Sequence, residues 1–296
     1  KAEAALPNWL STTAACQAVL HSGATVSSIQ RQMQLVLVAY RTSRSEVETL
    51  AKCLAALDPR IGYCVVVNGY SPGEPIQRLS SRADLFLTSS SNLGYGRAVN
   101  LAAKALAEQA IEKGGEPAPW LAALNTDLSW EGGSFERLLQ WLSSQPDVVL
   151  AVPQIRNPAG EVQHLCKTDP SVFAMISRRF IPAWLKPACL RKLDRHFVMA
   201  SSPLDRVLDV DYLSGCCMVI RRREFEKVGG FDERFFLYLE DADLTRSLRA
   251  EGRCVHAPVM QIIHAWGRGN HYSLRLTVVN LSSAWLYFSK WGWRWW

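Results

Sequence analysis

The chain has 296 residues, of which 48% are apolar and 20% charged, and its formal net charge is +6. This is the composition of an ordinary globular protein that is long enough for one large domain or two small ones. We find no signal peptide and no apolar run of the roughly 20 residues that a membrane-spanning helix requires, so a membrane-spanning protein is not expected. The positive charge allows a nucleotide diphosphate, an acidic lipid or a nucleic acid as partner, but no nucleic-acid-binding motif is present.

Eight cysteines are scattered along the chain, without a C-x-x-C pair and without the spacing of a zinc site. Those with apolar neighbours, such as Cys64 and Cys254, are predicted to be reduced core residues of a cytosolic protein. The chain starts without Met, which allows a processed form or an excised portion of a longer protein. Residues 1–32 are helix-compatible, and we predict a helical extension there, either a short leading helix or the tail of another domain.

Strands and helices are predicted to alternate from residue 33 onward. Continuous apolar runs at 35–39, 64–67 and 85–87 are typical of buried parallel strands, and the spacing over 46–57 predicts an amphipathic helix. Alternation of this kind calls for a parallel sheet with right-handed crossovers. Ligands of such sheets bind beyond the carboxyl ends of the strands, where Tyr40, Arg41 and Asn68 are expected.

The segment 92–100 (NLGYGRAVN) opens a predicted helix that runs to about residue 112. Its glycines permit close backbone approach or a positive φ, and a helix N-terminus suits a phosphate. A plain tight turn is the alternative, because glycine often marks turns.

A predicted strand at 120–124 ends in Asn125, Thr126 and Asp127. Oxygen side chains spaced by one residue at a strand end can hold a divalent cation that bridges a diphosphate, although such a tripeptide is also a common turn. A helix at 134–143 and a strand at 148–153 are predicted to follow.

The stretch 229–244 (GGFDERFFLYLEDADL) sets five acids among bulky apolar residues, after a strand predicted over 210–220. A carboxylate beside an apolar wall can act as a general base near neutral pH, and Asp241 is our candidate. Alternatively, Asp241 or Asp243 caps the helix that follows. Strands are predicted at 254–256 and 262–263. His264 comes next, as a possible cation ligand or as a structural histidine.

Two segments mix basic residues with large apolar ones, namely 177–195 and the tail, where a helix at 274–288 precedes the Trp-rich residues 291–296. This mixture suits a membrane surface or a lipid-linked acceptor. RNA fits the composition about equally well, and a solvated surface helix is the ordinary explanation.

Four of these segments, in this order, resemble the family 2 glycosyltransferases, the inverting enzymes of GT-A type, and especially the bacterial rhamnosyltransferase-like branch. The stretch GGFDERFFLYLEDADLTRSLRAEG is similar to the second signature of that family, and NLGYGRAVN resembles its N-x-G-x-G-x-x-x-N segment. N-T-D stands in the place of the family's D-x-D element, and residues 148–160 resemble its p-x-i-x-x-p-x-G passage. The fold that this resemblance implies is an α/β GT-A fold with a mostly parallel mixed sheet. Its Rossmann-like nucleotide-sugar half would span 33–130 and its acceptor half 131–290, before a tail at 291–296.

The resemblance also implies the roles of particular residues. Asp241 would be the catalytic base, and Glu240 would orient the acceptor. A divalent cation, Mg²⁺ or Mn²⁺, would be bound by Asp127 and His264. The implied donor-binding residues are Tyr40, Arg41, Asn68, Asn92, Gly94, Gly96, Arg97, Asn100, Asn125 and Asp127. The implied acceptor-binding residues are Gly215, Glu240, Trp266 and Arg268.

The resemblance implies a nucleotide-sugar donor and a glycan or lipid-linked glycan acceptor, at a cytoplasmic location with peripheral contact to the inner membrane. The favoured donor is dTDP-rhamnose. UDP-sugars stay open, because Val67 stands where related enzymes carry an Asp that contacts the nucleotide. A non-catalytic binding protein on the same fold is the leading alternative. A sugar-nucleotide pyrophosphorylase would carry a glycine-rich loop after the first strand, and residues 41–44 contain no glycine.

Overall fold

The computed structural model describes residues 16–19, 30–265 and 274–296. Its strands are β1 (Cys16–Val19), β2 (Met33–Ala39), β3 (Ile61–Asn68), β4 (Leu85–Ser89), β5 (Trp120–Asn125), β6 (Leu128–Ser129), β7 (Val148–Arg156), β8 (Cys166–Lys167), β9 (Leu208–Asp209), β10 (Tyr212–Leu213), β11 (Cys217–Arg221) and β12 (Arg253–His264). Its α-helices are α1 (Arg44–Ala55), α2 (Tyr95–Glu112), α3 (Ser134–Ser143), α4 (Val172–Phe180), α5 (Ala188–Phe197), α6 (Arg222–Lys227), α7 (Glu240–Leu248) and α8 (Leu274–Trp291).

One large mixed sheet has the strand order β1-β4-β3-β2-β5-β11-β7-β12-β6, with β9 paired to β12. Strands β4, β3, β2 and β5 are mutually parallel, as the alternating pattern predicts. β11 runs antiparallel between β5 and β7, and β8 and β10 form a separate two-stranded sheet. The predicted mixed, mostly parallel α/β fold is confirmed.

Helices cover both faces of the large sheet. On one face, α1 and α3 bury Leu50 and Phe135 against the strands, and on the other α2 and α7 bury Leu106 and Leu244. All eight residues of β3 are buried, which is why its sequence is a continuous apolar run. A third apolar cluster joins α4, α7 and α8 beside the sheet. Cys64 and Cys254 are buried, and neither forms a disulfide.

The prediction of a helical extension over 1–32 is wrong where the structure describes that segment. Cys16–Val19 is a strand, antiparallel to β4. The outer edge of β4 presents unpaired backbone N–H and C=O groups, and pairing with them decides the conformation of a segment with weak local preference.

The single strand predicted over 210–220 is two strands. β10 belongs to the small sheet and β11 to the large one, and the chain changes sheets at residues 214–216. At this break the backbone N–H of Gly215 is free of the ladder and donates to the carboxylate of Asp241 (2.8 Å). The interruption of the strand therefore leaves this N–H available to orient the Asp241 carboxylate.

The two short strands predicted around residues 254–263 are instead one long strand, β12. It is parallel to β7, with register shifts that let it continue to His264. No helix among the described residues is both long and apolar enough to cross a membrane.

Candidate active site

The carboxyl ends of β2 and β5 meet the entry to β11 at one edge of the large sheet. The backbone N–H of Asn125 donates to the carbonyl of Cys216 (3.0 Å), and the hydroxyl oxygens of Thr42 and Thr126 lie 3.2 Å apart. Ligands of parallel sheets bind beyond this edge. It is therefore where a substrate site is expected.

Asp241 lies in the first turn of α7, and three donors hold its carboxylate. The Tyr212 hydroxyl donates to Oδ1 (3.1 Å), the Gly215 backbone N–H donates to Oδ2 (2.8 Å), and the Ala242 N–H also donates to Oδ1 (2.9 Å). A Cβ at position 215 would lie 3.1 Å from the Cβ of Asp241, so glycine permits this close approach. The carboxylate is thus fixed in orientation, as a group that accepts a proton from substrate must be.

Helix α7 begins differently from the prediction. Its first residue is Glu240, and Leu239 before it has a left-handed φ of 64° and provides no side-chain cap. Asp243, which we predicted as a possible cap, instead accepts hydrogen bonds from Lys290 (2.9 Å) and Trp291 (2.7 Å). The capping prediction is wrong because groups from α8, distant in sequence, bind this carboxylate.

Glu240 is buried, with 6% of its surface exposed, and its Oε2 has no hydrogen-bond partner. Burial, reinforced by the negative charge of Asp241, raises the pKa of Glu240 to about 8. At neutral pH Glu240 is therefore protonated and able to donate a hydrogen bond, beside the candidate base Asp241.

Replacing Glu240 by Gln should change how stability depends on pH. The carboxyl keeps its proton in the folded protein up to about pH 8 but loses it near 4.5 when unfolded, so its contribution to stability is lost as pH rises through this window. We expect the fall in the free energy of unfolding between about pH 5 and about pH 8 to shrink by on the order of 1 kcal/mol or more in Glu240→Gln.

Urea unfolding at the two pH values measures this difference. Glu48→Gln, whose side chain is 54% exposed, is the matched control and should leave the pH dependence unchanged. An unaltered slope in Glu240→Gln would show that this carboxyl is not held protonated.

The surroundings of Asp241 are completed by Lys167, Tyr212 and Tyr95, which were not among the predicted site residues. Lys167 places its Nζ 4.2 Å from the ring centre of Tyr212, and burial lowers the pKa of Lys167 while the charge of Asp241 opposes that shift. The Tyr95 hydroxyl donates to the carbonyl of Gly215 (2.8 Å). Lys167 lies in an irregular segment without a periodic pattern, whereas Tyr95 lies within NLGYGRAVN and could have been found there.

Asp127 and His264 meet at the same edge of the sheet, with Nε2 of the imidazole 3.1 Å from Oδ2 of the carboxylate. Gln163 fixes the ring: its Nε2 donates to the His264 carbonyl (3.2 Å), and its Oε1 lies 3.2 Å from Nδ1. Because Oε1 of Gln163 can only accept, Nδ1 donates to it, and Nε2 is the nitrogen that faces the Asp127 carboxylate.

This arrangement fits a divalent cation. Oδ1 of Asp127 is buried without a hydrogen-bond partner, and Gln163 provides the outer hydrogen bond that metal-binding histidines usually have. In the described part of the chain, no group of three or more His, Cys, Asp or Glu side chains converges on a metal site. Cations that carry substrate phosphates are often held by only one or two protein ligands.

Asp127 and Asp241 are linked through the residues that lead into β11. Gly215 donates to Asp241, while Cys216 accepts from Asn125, two residues before Asp127. Burial and then the charges of Asp127 and Asp241 raise the pKa of the Cys216 thiol to about 12. Both carboxylates therefore lie close to one residue, although they are far apart in the chain.

The glycines of the 92–100 segment allow contact with the catalytic loop, which we define as residues 229–239. Gly94 has a φ of 87°, and a Cβ there would lie 2.4 Å from the carbonyl oxygen of Phe236. A Cβ on Gly96 would lie 2.8 Å from the Cβ of Phe231. Side chains at these positions would push the catalytic loop away from α2.

Polar residues of the same segment also bind the catalytic loop. Asn100 is buried, and its amide both donates to and accepts from the backbone of Phe231 (2.9 Å each). Arg97 donates to the carbonyl of Glu233 (3.0 Å), and both Arg97 and Asn92 are exposed. Asn100, predicted to bind the donor, therefore holds the catalytic loop instead. Arg97 also contacts the loop but stays exposed, so its binding to the donor stays a prediction.

At the ends of β2 and β3 the predicted residues differ in accessibility. Asn68 is buried, its Nδ2 donates to the carbonyl of Gly94 (3.3 Å), and its Oδ1 accepts from the N–H of Leu93 (3.4 Å). Tyr40 is 47% exposed, and the guanidinium of Arg41 lies 5.2 Å from its ring centre. Tyr40 and Arg41 are open to a ligand, whereas Asn68 supports the loop.

The remaining predicted residues are Asn125, Trp266 and Arg268. Asn125 is partly exposed at the end of β5, two residues before Asp127. Trp266 and Arg268, predicted to bind the acceptor, lie outside the described residues.

Solved glycosyltransferases have the same fold as this chain. GalNAc-T7 with UDP, GalNAc and Mn²⁺ is similar with a TM-score of 0.56 and 12% identity, over 81% of this chain and 44% of that one. The mannosyltransferase PcManGT from Pyrobaculum calidifontis, in complex with GDP-Man and Mn²⁺, gives a TM-score of 0.53 and 13% identity, over 90% and 64%. At this identity the likeness establishes the fold alone.

Sequence relatives narrow the assignment. The family described as the N-terminal domain of galactosyltransferase matches residues 195–271. The chain is 31% identical over 237 residues to the N-acetylglucosaminyl-diphospho-decaprenol L-rhamnosyltransferase of Mycobacterium tuberculosis, which covers 78% of this chain and 75% of the relative. It is also 39% identical over 56 residues to rhamnosyltransferase WbbL of Escherichia coli K12, covering 19% and 21%. The chain belongs to the GT-A glycosyltransferases, in their rhamnosyltransferase branch.

Proposed function

We propose that this protein transfers rhamnose from dTDP-rhamnose to a hydroxyl of a lipid-linked or polymeric glycan, with inversion, in cell-surface polysaccharide synthesis. The relative from M. tuberculosis is named as a rhamnosyltransferase of N-acetylglucosaminyl-diphospho-decaprenol, and WbbL is also named as a rhamnosyltransferase. We therefore favour a GlcNAc carried on a lipid diphosphate as the acceptor. Residues 33–130 would bind the donor and 131–290 the acceptor, at the cytoplasmic face of the membrane.

The observation that carries the proposal is the carboxylate of Asp241, which three hydrogen bonds orient at the mouth of the sheet. In the proposed reaction the acceptor oxygen attacks the anomeric carbon from the face opposite the diphosphate. The bond from that carbon to the phosphate oxygen breaks, and the nucleotide diphosphate leaves with the electron pair. Asp241 takes the hydroxyl proton, and the protonated Glu240 beside it would donate a hydrogen bond that orients the acceptor.

Asp127 and His264 would hold the divalent cation, Mg²⁺ or Mn²⁺, with Gln163 fixing the imidazole. A cation bound there would neutralise charge on the departing diphosphate as a Lewis acid. The open side chains of Tyr40 and Arg41 are available to the nucleotide. Arg41 can form charge-assisted hydrogen bonds to phosphate oxygens.

The end of β3 offers the nucleotide no acidic side chain. Val67 is fully buried at the place where related enzymes carry an acid, and the Asn68 amide is bound to the neighbouring loop. The base would then be contacted by backbone groups or by Tyr40. UDP-sugars are accordingly the alternative donors.

A thermal-shift screen of nucleotide sugars, with and without Mn²⁺, tests the donor. A ligand that binds the folded state raises the melting temperature by mass action, so dTDP-rhamnose with Mn²⁺ should give the largest shift. Transfer to a water-soluble, short-chain GlcNAc diphosphate lipid then tests the reaction. A larger shift with UDP-sugars, together with no rhamnosyl product, would contradict the proposal.

A further inference from the structure

Helix α8 carries large apolar residues on its buried surface and on its exposed surface. One side is buried, where Tyr287 and Phe288 pack into the cluster shared with α4 and α7. The other side carries a row of apolar residues that are 84%, 63%, 50% and 66% exposed. These are Leu274, Val278, Leu281 and Trp285. At 100° per residue they fall within about 60° of one another and extend over about 16 Å.

Helix α4 and the turn after it continue this apolar surface. Ile176 and Phe180, one helical turn apart, are 42% and 51% exposed, and Trp184 is 80% exposed. Arg179 donates to the Thr277 hydroxyl of α8, and the N–H of Val172 donates to a backbone carbonyl of the C-terminal residues (2.9 Å). The two helices therefore lie side by side, and we call their combined outer surface the α4–α8 face.

The two segments that form this face contain no acid, and Asp194, one residue beyond the first segment, pairs with Lys186. Residues 171–193 and 274–296 carry five and three Lys or Arg residues, respectively, and no Asp or Glu. Lys186 and Lys290 are paired with acids from elsewhere in the chain, whereas Arg178, Lys192 and Arg275 are exposed with no acid in either segment. An apolar stripe among exposed cations complements a bilayer that contains anionic lipids.

The α4–α8 face is also joined to the catalytic loop. The Ser283 hydroxyl of α8 donates to the carbonyl of Leu237 (2.8 Å), and Lys290 binds Asp243 in α7. A bilayer at this face would therefore be separated from the catalytic loop by the width of α8, about 10 Å. A lipid-linked acceptor would then reach the site without leaving the membrane surface.

We propose that the α4–α8 face docks on anionic lipid bilayers, with the apolar row of α8 inserted among the headgroups and the arginines and lysines beside it bound to lipid phosphates. The link to catalysis rests on the lipid-linked acceptor of the proposed function. Docking itself requires only lipid, so it can be tested without any sugar substrate.

Vesicle flotation with the unmodified chain is the test. It should bind vesicles of phosphatidylcholine mixed with phosphatidylglycerol, bind pure phosphatidylcholine more weakly, and lose binding as salt is raised. The double variant Val278→Glu with Trp285→Glu should lower the vesicle partition coefficient by at least about tenfold. Ile111→Glu, at a 60% exposed position on α2, is the matched control and should bind as the unmodified chain does.

Two further measurements separate docking from its alternatives. Transfer to a water-soluble acceptor should be the same in the double variant as in the unmodified chain, so failure of docking and failure of the proposed reaction are distinguishable. Light scattering should show the same mass for both proteins. Absence of vesicle binding, equal binding by the double variant, or a dimer that the double variant dissociates would each overturn the proposal.

Discussion

Replacing Asp241 by Asn should lower the transfer rate by at least about 10³-fold, since a positioned general base contributes roughly 10²–10⁴-fold to a rate. The amide keeps the size of the carboxylate. Its single oxygen can still accept from the Gly215 N–H, and the Tyr212 hydroxyl can turn to accept from the amide NH2. The amide cannot take the proton of the acceptor hydroxyl. Donor binding, measured as the thermal shift with nucleotide sugar, should stay within about twofold in affinity, because the base contacts the acceptor.

Asp209→Asn is the control for this substitution. Asp209 is 64% exposed and paired with Arg253 away from the site, so its replacement should leave turnover unchanged. Full activity in Asp241→Asn would exclude it as the base. If the variant bound donor normally and the unmodified chain transferred no sugar, the protein would be a binding module.

Removing the Asp127 carboxylate should abolish the response to divalent cations. In Asp127→Ala, the free oxygen Oδ1 and the partner of the His264 imidazole are both lost, so we expect cation affinity to fall by at least about 100-fold. Transfer at low Mn²⁺ should fall with it. His264→Ala should give a smaller loss, because Asp127 supplies the charge and can still bind the cation.

The measurement is a titration of the thermal shift with Mn²⁺ in the presence of the nucleotide diphosphate. Asp147→Ala removes a 56% exposed carboxylate that pairs with Arg253, and it should titrate like the unmodified chain. Equal Mn²⁺ responses in Asp127→Ala and Asp147→Ala would show that the cation does not bind at the end of β5.

The strands of the nucleotide half could be predicted from local pattern because each is buried on both faces. The β3 run is apolar throughout and is buried throughout. Where the local pattern was weaker, contacts with distant parts of the chain decided the secondary structure. Cys16–Val19 forms a strand because the edge of β4 is available, and the break at Gly215 depends on Asp241, which lies 26 residues further along the chain.

Within the candidate site, the residues predicted from the acidic stretch and from N-T-D do meet at one edge of the sheet. The residues that hold these side chains in place could not be predicted from the sequence. Lys167 and Gln163 come from short, irregular segments, and no spacing relates them to Asp241 or His264. Asn100 was assigned to the donor, yet it binds the backbone of Phe231, because which side of a helix faces a loop depends on packing.

The sequence by itself determined the order of strands and helices in the nucleotide half, the parallel half of the sheet, and the identity of the acids that are candidates for catalysis. These follow from the period of apolar residues and from side-chain chemistry, which are local properties. Only the tertiary structure decided which acid is oriented as a base, which is kept protonated, and which binds α8 instead. Those outcomes depend on burial and on partners far away in the chain, and the free energy of a charge is set by its surroundings in space.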